Sequence, residues 1–258
     1  MKFYTCLFIV LFTCTGLYSF SQKADSTQHI KHFSGSASIT NNGISLIPSF
    51  SLQKPAVIFL LSLGGQRFSV DPDIRFGLDG KPWTMLFWVR YKLITQSKFR
   101  LLTGAHLGLN FRSTEIAINN IPSKNSIARR YLAAELAPNY YFTKNISAGA
   151  YYLYSRGLDD GTTKNNHFVT LNANFSHLAF SKEIYLRISP QVFYLFQDGR
   201  KGYYTTGLLA LAKNNFPLSL SFLVNKRISG NIPGKDLISS FSLIYSFNQK
   251  FVPNKNVL

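Results

Sequence analysis

The segment 237-LISSFSLIYSFN-248 alternates two kinds of residue along its length. Leu237, Ser239, Phe241, Leu243, Tyr245 and Phe247 share one side of an extended chain, while Ser240, Ser242, Ser246 and Asn248 share the other, because successive side chains of a strand point to opposite faces. The same period recurs upstream. Ile184, Leu186, Ile188, Val192, Tyr194 and Phe196 oppose Arg187, Ser189, Gln191 and Gln197, and Val169, Leu171, Ala173 and Phe175 oppose Thr170, Asn172, Asn174 and Ser176. A soluble β-sandwich also alternates, but its polar face looks outward and tends to carry Lys, Glu and Asp. Here the polar face is mostly Ser, Thr, Asn, Gln and Gly against large aliphatic and aromatic residues, the pattern of the lumen and lipid sides of a transmembrane barrel.

Further strands are expected near 33–40, 43–52, 56–64, 66–78, 83–94, 98–112, 128–142, 146–156, 202–212 and 216–227. Turn signals stand between them: Asn41-Asn42-Gly43, Lys54-Pro55, Gly64-Gly65, Asp79-Gly80-Lys81-Pro82, Lys144-Asn145, Asp198-Gly199 and Asn214-Asn215. Together with the three segments above this makes about thirteen strands, whereas single-chain bacterial barrels use an even number. Longer connections are expected near 113–127, 157–165, 198–201 and 228–236, after every second strand. With both termini on the periplasmic side, that spacing requires one strand fewer before residue 113, and the surplus lies within 33–78. The expected fold is all-β: a transmembrane antiparallel up-and-down β-barrel of about twelve strands, wide enough for a narrow pore unless side chains or the N-terminus fill it.

The N-terminal MKFYTCLFIVLFTCTGLYSFSQ has one Lys, an apolar run from Phe3 to Tyr18 and small residues at Ser19 and Ser21, the three-part pattern of a secretory signal cleaved before Gln22. The organisation read from the sequence is a signal peptide over 1–21, a polar lead over 22–32, the barrel over 33–248 and a tail over 249–258. Both cysteines, Cys6 and Cys14, lie in the segment removed, so the exported chain has no disulfide and no thiolate ligand or nucleophile. Beyond the signal, no apolar run approaches the roughly 20 residues of a spanning helix, and a closed barrel is the other structure that satisfies every backbone group in lipid.

Formal net charge is +17, one less without Lys2. The lysines Lys54, Lys81, Lys98, Lys144, Lys182 and Lys213 stand singly at strand ends and turns rather than in a stripe, and no recognition motif accompanies them. Nucleic acid is therefore not an expected partner. The expected partners are outer-membrane lipid and lipopolysaccharide, whose phosphates such lysines suit, together with the barrel assembly machinery and small solutes.

Charge also enters the strands, in 66-QRFSVDPDIRFGLDGKPWTMLFWVRYKL-93. By parity, Phe68, Val70, Ile74, Phe76 and Leu78 share one face and Arg67, Ser69, Asp71, Asp73, Arg75 and Gly77 the other. In the following strand Trp83, Met85, Phe87, Val89, Tyr91 and Leu93 alternate with Thr84, Leu86, Trp88, Arg90 and Lys92. Pairing of the two strands would gather Asp71, Asp73, Arg75, Arg90 and Lys92 on one patch of lumen wall, where charges that are costly against lipid can pair. Arg100, His106 and Arg112 on the next strand add positive charge without matching acids. These eight residues are the candidate site, read either as a salt-bridge network bracing the wall or as a selectivity filter favouring anions.

The segment 71-DPDIRFGLDGKPW-83 followed by 87-FWVRYKL-93, within an all-strand chain whose signal ends in Ser-Gln, resembles outer-membrane β-barrel proteins of Bacteroidetes. The general pattern covers most of 33–248, and Asp71 to Lys92 is its specific part. The resemblance implies a barrel in the cell outer membrane; it carries no substrate and no catalytic residue. Phe247 is followed by a tail, whereas such barrels often end on an aromatic residue of the last strand.

Catalytic chemistry finds little support. Outer-membrane lipid hydrolases use a Ser–His pair with an orienting group. Of His29, His32, His106, His167 and His177, only His106 falls clearly on the lumen face, His29 and His32 belonging to the polar lead. No G-x-S-x-G, H-E-x-x-H or phosphate-binding loop occurs, and Asp159-Asp160-Gly161 lacks the further oxygen ligands of a calcium loop. No catalytic residue, cofactor or metal is expected. Tyr140, Tyr141, Tyr151, Tyr152, Tyr154, Tyr203 and Tyr204 are expected to form interfacial girdles. A passive channel for small anionic solutes is the leading expectation, followed by a non-conducting structural or assembly barrel and a lipid-modifying enzyme.

Overall fold

The computed structural model describes residues 31–118 and 121–251, with the backbone alone over 113–118 and 121–125. The signal segment, the lead up to residue 30 and the tail beyond residue 251 lie outside the described residues. Twelve strands follow one another: β1 (Lys31–Thr40), β2 (Ala56–Gly64), β3 (Phe68–Gly77), β4 (Pro82–Thr95), β5 (Phe99–Ile118), β6 (Ile121–Tyr141), β7 (Ile146–Gly157), β8 (Asn166–Ala179), β9 (Ile184–Gln197), β10 (Arg200–Lys213), β11 (Leu218–Gly230) and β12 (Leu237–Phe251). Each pairs antiparallel with its sequence neighbours, and β1 closes on β12 from Lys31 opposite Phe251 to Thr40 opposite Ser242. The result is a closed up-and-down barrel. No helix of the described residues is long and apolar enough to cross a membrane. Every strand has at least the roughly 9 residues that a tilted bilayer crossing needs.

Sidedness follows the alternation. Phe87, Val89, Tyr91 and Leu93 of β4, Leu132 and Leu136 of β6, Leu209 and Leu211 of β10 and Phe241, Leu243 and Tyr245 of β12 are exposed on the outside. Buried positions on the opposite parity include Thr84, Asn110, Glu135, Asn166, Thr170, Thr206, Asn225 and Ser240. An apolar exterior around a polar interior is the inverse of a water-soluble barrel, and lipid is the solvent that such a surface fits.

Four sequence expectations need correction, the connection at 198–201 among them. Residues 43–52 are not a strand: Pro48–Phe50 form a single 3₁₀ turn within a connection running from residue 41 to 55, and this is the surplus strand that the even count required. Ile44, Leu46, Phe50 and Leu52 alternate with Ser45, Ser49 and Ser51 as a strand would, but Ile47 is buried against the wall with Leu46 and Phe50 packed beside it. Residues 113–127 are not an open loop either, since the β5–β6 ladder continues from Arg112 opposite Ile127 to Ile118 opposite Ile121. Trp83 leaves the lipid-side parity because the β3–β4 register shifts between Arg75, opposite Thr84, and Phe76, opposite Pro82. The extra residue is bulged inward, and Trp83 is 2% exposed.

The termini define the near end, where the turns 65–67, 96–98, 142–145, 180–183 and 214–217 are short. The far end carries the long connections 41–55, 158–165 and 231–236. The expected longer connection at 198–201 is instead a tight turn, with Asp198 and Gly199 at φ 44° and 87°, the left-handed geometry for which Asp-Gly is suited. At the near end, a Cβ on Gly64 would lie 2.3 Å from the Phe68 carbonyl oxygen and 2.7 Å from Ser69 Cα. Gly64→Val therefore overpacks the β2–β3 hairpin, at a cost of about 1–3 kcal/mol. The temperature at which the purified barrel loses its folded migration on semi-native gels should fall by several degrees; an unchanged midpoint would show that this contact is relieved freely.

Candidate functional site

The candidate site is the inner wall, and its organising contact crosses a strand. Arg90 of β4 lies opposite Gly104 of β5, which lies opposite Glu135 of β6. With no side chain at Gly104, the Arg90 guanidinium passes over β5 and donates from Nε to Glu135 Oε1 at 2.6 Å. A Cβ on Gly104 would sit 2.8 Å from that oxygen and 3.0 Å from Arg90 Cγ. Glu135 is almost wholly enclosed, its side chain 1% exposed, and its other oxygen accepts the Tyr151 hydroxyl at 2.7 Å.

Arg90 also donates from Nη1 to Asp71 Oδ2 at 3.0 Å and lies over the Trp88 ring, 4.4 Å from its centroid. Asp71 further accepts Ser62 Oγ at 2.6 Å and Ser69 Oγ at 3.1 Å. His32 Nε2 lies 3.2 Å from Ser62 Oγ. Beside this chain, Arg75 grips Asp73 with two bonds of 2.7 Å, from Nε and Nη2, and packs over Trp83. Prolines mark both flanks. Pro72 has no N–H, and the β2–β3 ladder skips Leu61 and Ser62 opposite it and Asp71; the β6–β7 ladder skips Ala137 and Pro138 opposite Tyr151 and Ala150.

The candidate residues thus separate into groups. Asp71, Asp73, Arg75 and Arg90 share the inner face that parity gives them, as two pairs, Asp71 with Arg90 and Asp73 with Arg75. Lys92 stands apart at the near end, its Nζ 3.3 Å from the Gln66 carbonyl oxygen, and shares a cavity of about 390 Å³ with Arg100, Gln66, Asn139 and Tyr141. Arg100 lies over the Tyr141 ring at 4.5 Å. His106 is buried edge-on against Trp88, with ring centroids 4.2 Å apart. Arg112 lies at the far end, where Nε donates to Asn110 Oδ1 at 3.1 Å. It lines a cavity of about 330 Å³ with Arg129, Tyr131, Thr163, Ser49 and Phe50. None of Lys92, Arg100, Arg112 and Arg129 is ion-paired among the described residues.

Sequence reasoning missed Glu135, Tyr151, Gly104 and Arg129. A lone Glu on the polar parity of 128–142 was the available signal; its partner two strands away was not. The tyrosines also divide. Tyr140, Tyr152 and Tyr203 are exposed outside, as girdle residues are, but Tyr151 enters the network, Tyr141 faces the near cavity and Tyr204 is buried against Phe193, with rings 4.8 Å apart and nearly parallel.

The far cavity borrows a wall from the 158–165 connection. Asp159 clasps Arg130, accepting Nη2 at 2.6 Å and the backbone N–H at 2.6 Å. The Arg130 side-chain and backbone hydrogen bonds hold the Asp159 carboxyl below its usual range. A depressed carboxylate supports the fold above its ordinary value and loses that support as pH falls through the lowered one. The hydrogen-exchange protection of 158–165, taken relative to the intrinsic exchange rate at each pH, should stay constant from neutral pH down to about pH 4 and fall only below it. Loosening already at mildly acid pH would contradict the clasp.

Across the far mouth lies the 41–55 connection. Ile47 inserts among Phe168, Phe193, Leu195 and Tyr204 on β8–β10, with Ile232 of the β11–β12 connection. Phe50 meets Tyr131 edge-on at 5.1 Å, and its carbonyl oxygen accepts Trp83 Nε1 at 2.7 Å. Burial of an Ile side chain contributes about 2 kcal/mol, so the segment is seated rather than loosely draped.

His32, Ser62 and Asp71 are not in the order of a nucleophilic relay. The hydroxyl donates to the carboxylate, leaving the imidazole at the end of the chain rather than between the two. No group of three or more His, Cys, Asp or Glu with metal-binding geometry occurs among the described residues.

No protein-family model matches the sequence, and no curated protein is similar to it. Among solved structures the chain is similar to the KdgM porin, determined alone and in complex with disordered oligogalacturonate. Each match is 12% identical with a TM-score of 0.51, covering 84% of this chain and 99% of the porin. The NanC porin (12% identical, TM-score 0.46, covering 83% of this chain and 97% of that one) lies too far off to carry an argument. At this identity the likeness is one of fold. The chain is a closed twelve-strand antiparallel barrel with the fold of an outer-membrane porin.

If Arg90 bridges to Glu135 through the gap at Gly104, Glu135→Ala should cost about 3 kcal/mol, as breaking a buried pair does. Gly104→Val should cost a similar amount, and the double variant clearly less than the sum of the two. Equilibrium unfolding in urea with lipid or detergent present checks this; strict additivity would mean that the two changes act on separate contacts.

Proposed function

We propose that this protein is a channel of a bacterial outer membrane that passes small anionic solutes. The observation that carries the reading is the distribution of lumen charge. Three mid-wall carboxylates, Asp71, Asp73 and Glu135, are bound to two guanidinium groups, Arg75 and Arg90, so the middle of the wall offers no surplus cation. The surplus stands at the ends, Arg112 and Arg129 at the far cavity and Lys92 and Arg100 at the near one. A row of like charges in a narrow, low-dielectric passage concentrates counter-ions and steers their entry. Arg75 and Arg90, which the sequence suggested as attractors, take the role of braces.

Supporting the membrane setting are the apolar exterior, the signal-like N-terminus and the lysines at the turns, a residue type that suits lipid or lipopolysaccharide phosphates. Insertion by the barrel assembly machinery, and kinship with barrels of Bacteroidetes, belong to the same proposal. The KdgM porin was solved with oligogalacturonate, an acidic saccharide, and acidic sugars are a sensible first solute class to try. The reading is non-catalytic, in keeping with the order of the His32–Ser62–Asp71 contacts. The segment seated across the far mouth favours a second reading, a barrel closed at rest.

The test is the zero-current potential of the reconstituted mature protein in planar bilayers under a salt gradient. Anion preference is expected, falling severalfold in Arg112→Gln/Arg129→Gln and in Lys92→Gln/Arg100→Gln but little in Arg75→Gln. Cation preference, or equal effects of all three, would reject the assignment.

A further inference from the structure

The segment between β1 and β2 is built as a separable unit. Its neck is closed by backbone bonds, Gly43 N–H to the Lys54 oxygen at 2.7 Å and the N–H groups of Leu52 and Gln53 to the Gly43 oxygen at 2.9 and 3.1 Å. Gln53 turns through the left-handed region with φ 57°. Above the neck the tip satisfies itself. Phe50 N–H donates to Ile47 O at 2.9 Å and Ser51 N–H to Pro48 O at 3.1 Å, while Ser51 Oγ accepts from Ser45 N–H at 2.9 Å and donates to Ser45 O at 3.1 Å. The stalk before the neck is fixed to the barrel, because Asn41 exchanges bonds of 3.1 and 2.9 Å with Phe241 and Asn42 Nδ2 reaches Ser239 O at 3.0 Å.

What holds the tip to the opposite wall is, by contrast, sparse. Ile47 fills the apolar socket on β8–β10, Trp83 Nε1 donates to Phe50 O at 2.7 Å, and Gln197 Nε2 donates to Ser49 Oγ at 3.2 Å. Swinging the tip about its neck would leave its internal bonds intact and break these two hydrogen bonds together with the apolar packing of Leu46, Ile47 and Phe50, the Phe50–Tyr131 contact included. We propose that residues 44–51 are a hinged plug that closes the far mouth at rest and leaves it as a body to open the lumen, an inference that rests on the channel reading above. The socket favours the seated state, since unseating exposes Ile47, Phe193 and Leu195 to water together. Beneath it, Thr170, Thr206 and Asn225 carry buried polar atoms without a protein partner, a wall suited to a hydrated passage.

Three chains of the mature protein test this in planar bilayers. One has 44–51 replaced by a Gly-Ser linker, one carries Ile47→Asp, and one carries Ser49→Cys with Gln197→Cys bridged by a reductant-cleavable bifunctional maleimide. The wild type should stay closed most of the time. The linker chain and Ile47→Asp should raise the open fraction at least tenfold, and the bridged chain should be silent until reduced. If wild-type, linker and bridged chains conduct alike, the plug is overturned and the channel stands. If even the linker chain, inserted and folded, never conducts, both readings fall. The bridged chain needs no altered packing, so a folding defect in Ile47→Asp does not decide the matter.

Discussion

Pairing of Lys31–Thr40 with Ser242–Phe251 is the constraint on which everything else rests. In a bilayer there is no water to satisfy a free strand edge, and each orphaned N–H or carbonyl costs several kcal/mol. Closure removes both edges at once. It also commits every strand to one parity, because a slip of a single residue would turn the whole Ser/Thr/Asn face toward lipid. The connections inherit the consequence: tight turns at the end bearing the termini, and long ones free to fold back over the opposite mouth.

Within that cylinder the wall over β2–β7 is braced by charge, while β8–β10 carry the apolar cluster around Ile47. The contact between Arg90 and Glu135 depends on an absence, the missing side chain at Gly104, and draws β4 and β6 together across an intervening strand. Asp71, Ser62 and Ser69 extend the chain toward β2, and Tyr151 extends it to β7. Because three carboxylates take up both arginines, any cation free to meet a solute in the proposed passage lies outside the network. An ion-pair cluster and an anion-selective passage are therefore compatible parts of one wall.

Much of this was legible in the residues. Period-two alternation carried the fold, the even-strand rule located the surplus strand within 33–78, and parity in 66–93 brought Asp71, Asp73, Arg75 and Arg90 to one face. What was not legible has physical causes. Ile44, Leu46, Phe50 and Leu52 alternate with serines like a strand whether they face lipid or fold into the mouth, and only Pro48 hints at the turn. Trp83 departs from its parity because of a bulge, which is set by pairing and not by composition. Glu135 and Gly104 acquire meaning only from register across three strands, and Arg129 only from where the extended β5–β6 hairpin ends up. Sequence gives the faces; lateral neighbours beyond the next strand require the shear of the closed barrel.

The most direct test is of sidedness. Single cysteines placed in residues 22–258, which contain no cysteine, at Asn172, Gln191 and Ser242 on one parity and at Leu171, Val192 and Leu243 on the other, would be challenged in lipid vesicles with a water-soluble, membrane-impermeant maleimide. The account predicts labelling at the first three, Ser242 reacting despite its neighbour Leu243 remaining silent, and quenching of a fluorophore at the second three by brominated acyl chains. Ready labelling of Leu171, Val192 and Leu243 without lipid quenching would mean that the apolar face is not against the bilayer, and the transmembrane account would be wrong.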